Sequence, residues 1–64
     1  MEMTEMNALL EPGMIVEHPD RPDWGRGQVQ SNIHGRITVN FREEGKVGID
    51  GSRVALLPVY EDRG

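Results

Sequence analysis

The chain has 64 residues, 36% of them hydrophobic and 28% charged, with eight glycines, four prolines and no cysteine. That is one small domain, without disulfide staples or thiolate metal ligands and with little volume for an enclosed active site. Eleven acidic residues outnumber seven basic ones, and the resulting net charge of −4 is a poor match for a polyphosphate backbone.

The acidic excess lies at the ends of the chain. Residues 1–12 carry Glu2, Glu5 and Glu11 and no cation, while residues 13–54 balance. This first segment reads as an acidic N-terminal tail, flexible or partly helical. As a helix it would place Met3, Met6 and Leu10 on one side and close one end of the domain. Its acids stand where a signal peptide needs cations, and no stretch of the chain approaches the roughly 20 apolar residues of a membrane span. A cytoplasmic protein with no membrane partner is the expectation.

Strand signals begin after the turn Glu11-Pro12-Gly13. Residues 14–17 are a short apolar strand. Residues 18–23 contain Pro19 and Pro22 and no apolar side chain, which makes them a stiffened loop. Residues 24–33 alternate, with Val29, Ser31 and Ile33 predicted on the inner side, and Gly25 and Gly27 point to a bent or bulged entry. His34-Gly35 fits a tight type I′ turn. Residues 36–41 then turn Ile37, Val39 and Phe41 inward. After Glu43-Glu44-Gly45, residues 46–50 do the same with Val47 and Ile49. Asp50-Gly51-Ser52 turns the chain again, and residues 54–59 supply a last strand that Pro58 interrupts. Val16, Val54 and either Leu56 or Leu57 complete the expected core. Five short strands linked by tight turns predict an all-β fold, a small bent antiparallel barrel over residues 13–60, with 61–64 as a C-terminal tail.

Catalytic chemistry is thin. Gly25-Arg26-Gly27 is too short for a phosphate-cradling loop and precedes no helix. Ser31 and Ser52 have no base and orienting acid nearby in sequence. His18 and His34 lie sixteen positions apart, at a strand end and a hairpin tip. Asp20 and Asp23 lack the ligand density of a calcium loop and fit turn-capping roles instead. No metal or cofactor is expected, and an enzyme is not. Trp24 is the single tryptophan; it packs over the barrel mouth or serves as an interface anchor, two roles that coexist. Arg26, Arg42 and Lys46 share a face if the Gly25 turn neighbours the Glu43–Gly45 turn; otherwise they are scattered solvated charges.

Three pieces in order, Gly13-x-x-Val16-x-His18-Pro19, Trp24-Gly25-x-Gly27-x-Val29 and Val39-x-Phe41-x-x-x-Gly45-Lys46, resemble a bacterial Tudor-like, SH3-like barrel. The pattern resembles a family of short bacterial domains of unknown function. It is also similar to the C-terminal module of UvrD/PcrA-type helicases and, more distantly, to the RNA-polymerase-interacting module of CarD-type regulators and transcription–repair coupling factors. The resemblance spans residues 13–57 and rests mostly on glycines and core positions. It lacks the helicase motor and the helical DNA-binding domain of CarD-type proteins. It implies a non-catalytic protein-interaction module, a monomer that docks on RNA polymerase or a repair factor through a barrel edge, with Trp24, Arg26, Arg42 and Lys46 at the contact. The alternatives are a nucleic-acid-binding module, which the charge disfavours, and a binder of an unrelated peptide.

Overall fold

A computed structural model of the protein describes residue 7 and residues 9–60. The expectations for residues 1–6, including the predicted helical positions Met3 and Met6, and for the tail 61–64 fall outside the described residues. The rest folds as five antiparallel strands: β1 (Ile15–Glu17), β2 (Arg26–Ile33), β3 (Arg36–Phe41), β4 (Gly45–Asp50) and β5 (Leu57–Pro58). They form one sheet in the order β4-β3-β2-β1-β5, the curled meander of an SH3-like barrel. The barrel is not closed: β4 and β5 are the two edges of the sheet.

Alternation of apolar and polar residues builds β3 and fixes its register. Ile37, Val39 and Phe41 are buried and pair with Ile49, Val47 and Gly45 on β4. The β2–β3 connection is the predicted two-residue turn, with positive φ at both His34 (51°) and Gly35 (80°). With Leu10, Val16, Val29, Ile49 and Leu56, these β3 side chains form the core, and Val47 and Val54 pack at its margin. Leu56 rather than Leu57 is the inward residue of the last segment. The strand there shrinks to Leu57–Pro58, since residues 51–53 form a turn and residues 54–56 run in irregular backbone.

Two features of β2 depart from expectation. The strand begins at Arg26, because Pro22–Trp24 forms a single 3-10 turn that Gly25 ends with φ 77°. Its pairing with β3 also slips by one residue between Val29 and Ser31. A side-chain period of two means that one extra residue exchanges the two faces. Beyond the slip Ile33, expected inside, is therefore 61% exposed. Asn32, expected outside, is turned in instead. Gly27 marks a close approach: a Cβ there would lie 2.5 Å from Val39 Cγ1 and 2.7 Å from Phe41 Cδ1.

Asn32 finds its partners in the N-terminal segment, where its Nδ2 donates to the carbonyls of Asn7 (2.9 Å) and Leu10 (3.0 Å). The Asn7 side chain is buried and fully engaged. Its Nδ2 donates to Gly51 O (2.8 Å) and Val54 O (2.6 Å), and its Oδ1 accepts from Leu56 N–H (3.2 Å). The buried Gly51 carbonyl and Leu56 N–H would otherwise lack a partner, which costs about 1–3 kcal/mol for each. Asn7 and Leu10 thus strap the far end of β2 to the segment joining β4 and β5, where the sheet itself leaves a gap.

Candidate functional site

At the near end of β2 the 3-10 turn presents Trp24. The Trp24 ring meets His18 edge-on at 5.0 Å between centroids and Phe41 at 5.2 Å, both in the range of favourable aromatic pairs. The Arg21 guanidinium lies 5.7 Å from the Trp24 ring centre. His18 Nδ1 accepts the Asp20 backbone N–H at 3.1 Å, which fixes the ring against the tryptophan. Trp24 is consequently half-buried: its inner side braces the core, and a guanidinium lies over its ring.

The cations belong to a different surface. Arg42 N–H donates to Arg26 O (2.8 Å) and Glu43 N–H to Trp24 O (2.9 Å), so residues 24–26 run beside 41–43. The Gly25 turn and the Glu43 turn are neighbours, the condition under which the cations share a face. A Cβ at Gly25 would stand 3.3 Å from Arg42 Cβ. Arg26 and Arg42 are both exposed and line one open cleft of about 470 Å³ with Ile15, Gln28, Asn40, Glu43 and Glu44. Two guanidiniums and two carboxylates in one cleft give it mixed rather than cationic character. Arg26 Nε also stands 3.7 Å from Glu17 Oε2, a solvent-screened pair worth well under 1 kcal/mol. Lys46 lies outside the cleft lining. It is exposed on β4 opposite Asn40, one strand further out. The four predicted residues therefore divide into Trp24 at the barrel mouth, Arg26 with Arg42 in the cleft, and Lys46 on the edge strand.

Sequence reasoning did not identify which edge is open. Among the described residues, no strand lies against the outer side of β4. Gly51 N–H donates inward to Gly35 O (2.8 Å), so by alternation the backbones of Gly45, Val47 and Ile49 face β3. Lys46, Gly48 and Asp50 turn their N–H and C=O groups outward. The Asp50 carbonyl bears this out by accepting Arg53 N–H (3.0 Å) and Val54 N–H (3.1 Å) on that side. The opposite edge, β5, is two residues long and includes Pro58, which lacks an N–H to donate.

Among the described residues, no group of three or more His, Asp or Glu is placed to hold a metal ion, and no helix is long and apolar enough to cross a membrane. The model of a family described as Protein of unknown function (DUF3553) matches residues 10–59. The chain belongs to this family. No curated protein and no solved structure matches it. The DUF3553 match takes in β1 to β5, the Trp24 cluster and the cleft, and leaves Asn7 just outside.

Proposed function

We propose that the protein is a non-catalytic docking module that binds a protein partner by strand addition along β4, with the neighbouring cations fixing orientation. The open β4 edge carries this reading. Its outward backbone groups at Lys46 and Gly48 offer hydrogen bonds to an extended segment, exposed Lys46 offers charge selectivity beside them, and exposed Arg42 and Arg26 offer more in the cleft further across the sheet. Trp24 acts from behind, bracing the turn that holds Arg26 against Arg42. The cleft favours this role over catalysis, since its lining offers no imidazole, hydroxyl or thiol. Mixed charge in the cleft and a net charge of −4 favour a protein over nucleic acid.

The partner class rests on the resemblance of the sequence pattern to helicase and CarD-type modules, which implies RNA polymerase or an associated transcription or repair factor, in the cytoplasm. A contact limited to one strand and three cations should bind at micromolar strength, near −8 kcal/mol. The test is a pull-down from bacterial lysate with the full chain, at low and moderate salt, with and without nuclease. Recovery of polymerase subunits that resists nuclease and falls with Arg26→Ala/Arg42→Ala supports the reading. Recovery that nuclease abolishes transfers the function to nucleic acid. Capture unaffected by the double substitution removes the cations from the site.

A further inference from the structure

The sequence of the open edge complements itself. The strand reads Gly45-Lys46-Val47-Gly48-Ile49-Asp50. Laid antiparallel against a second copy with a two-fold axis through Gly48, it sets Lys46 opposite Asp50, Val47 opposite Ile49, and Gly48 opposite Gly48. Lys46, Gly48 and Asp50 are also the residues whose backbones face the open side, so this register meets the hydrogen-bonding requirement of a closely paired antiparallel ladder. Registers offset by one residue would set inward-bonded residues against outward-facing ones and form no such ladder.

Resting on the reading of β4 as a docking edge, we infer that, where no partner strand occupies that edge, β4 pairs with β4 of a second copy in this register, making a continuous sheet across a two-fold axis. Each symmetric interface holds two Lys46–Asp50 pairs of opposite charge; both side chains are exposed in the single chain, where the Asp50 carboxylate also accepts from Ser52 and lies 3.7 Å from Arg53 Nε. On the other face, half-buried Val47 gains an apolar neighbour in Ile49 of the second copy and extends the core side of the sheet. At the axis the two glycines leave the strands free to approach. The space that a side chain at Gly48 would fill borders Arg36, whose Nη1 stands 3.7 Å from the Cβ position. The Asp50 carbonyl is already engaged by Arg53 and Val54 N–H. The ladder therefore rests on two bonds at Gly48 and one from each Asp50 N–H to Lys46 O. Four bonds and two charge pairs over five residues form a small interface, below the area typical of stable dimers. The association is accordingly weak, in the range of hundreds of micromolar, and weakens with salt.

The test uses the purified full chain alone, so its failure is distinct from failure to capture a partner. Sedimentation equilibrium from 10 µM to 1 mM should show a monomer–dimer equilibrium. Mixed isotope-labelled samples should give intermolecular contacts between Lys46 and Asp50. Lys46→Glu alone, or Asp50→Lys alone, sets like charges opposite each other twice and should weaken the dimer about tenfold. An equimolar mixture of those two variants restores both opposite-charge pairs and should dimerise again, which an unrelated interface would not do. Should Asp50→Lys fail to fold, Gly48→Pro serves instead. It removes an N–H that faces away from β3 and has no bond among the described residues, and should abolish pairing while preserving the fold. A monomer at 1 mM overturns the inference, as does a dimer insensitive to Gly48→Pro and to charge reversal. Contacts from residues 1–6 onto β4 within one chain would overturn it too.

Discussion

The two ends of β2 are closed by opposite chemistries. At the near end, Trp24, His18 and Phe41 stack their rings over the core, and contact area holds the end shut. At the far end, Asn7 and Asn32 close the barrel with carboxamides that satisfy five backbone partners between them. An aromatic closure tolerates small displacements, because dispersion and hydrophobic terms are broad in distance and direction. A carboxamide closure is either made or lost. Its buried donors and acceptors have no cheaper alternative inside the protein.

Substitutions at the two ends should bring out this difference. The largest effect is expected from Phe41→Ala, which removes a ring that is 2% exposed, together with the support for Trp24. Losing about 3–5 kcal/mol from a domain of this size should leave it mostly unfolded, as loss of the Trp24 fluorescence shift would report. Gly27→Ala attacks the same end from the other side. Its new methyl would collide with Val39 and Phe41, and the expected cost is about 1–3 kcal/mol in urea unfolding. Asn7→Ala breaks the amide end at about 2 kcal/mol. Its signature is local: amide exchange at Leu56 should accelerate far more than exchange in β3. Uniform acceleration would mean that the strap is an integral part of the cooperative core.

The smallest effect concerns the turn that presents Gly51 to Asn7. Asp50 Oδ1 accepts from Ser52 Oγ (2.7 Å) and Ser52 N–H (3.0 Å), and these bonds, helped by Arg53 and Arg36, hold its pKa below the ordinary 3.8. A carboxylate depressed in the folded state stabilises fully above its unfolded value, and the benefit fades as pH falls through the lower folded value. The difference in urea midpoint between the native chain and Asp50→Asn should therefore be small at neutral pH and vanish in strong acid. A difference that grows in acid would reverse the assignment.

The same contrast explains what could be read from the residues. The alternation of Ile37, Val39 and Phe41 and the His34-Gly35 turn carry their structure locally, and β3 and its hairpin follow from them. The adjacency of Arg26 and Arg42 was accessible through the two glycine-containing turns that bring them together. Ile33 was misassigned because the slip after Val29 has no glycine or proline to mark it, and the inversion appears only once β2 is paired with β3. Asn7 carries no periodic signal that would place it inside. Its burial depends on carbonyls more than forty residues away. The open edge at β4 is likewise a property of strand order, which no single segment specifies.

The reach of the Asn7 contacts also sets an order of events in time. The meander from β2 to β4 is built from neighbouring hairpins, whose closure is fast. Asn7 bonds to Gly51, Val54 and Leu56 across separations of 44 to 49 residues. Such contacts repay the entropy of closing a loop of more than forty residues only after the intervening strands have formed. On the ribosome the disparity is sharper. Asn7 emerges more than forty residues ahead of its partners, so the amide closure must await synthesis through Leu56. A nascent chain arrested before Leu56 would hold its hairpins without its latch.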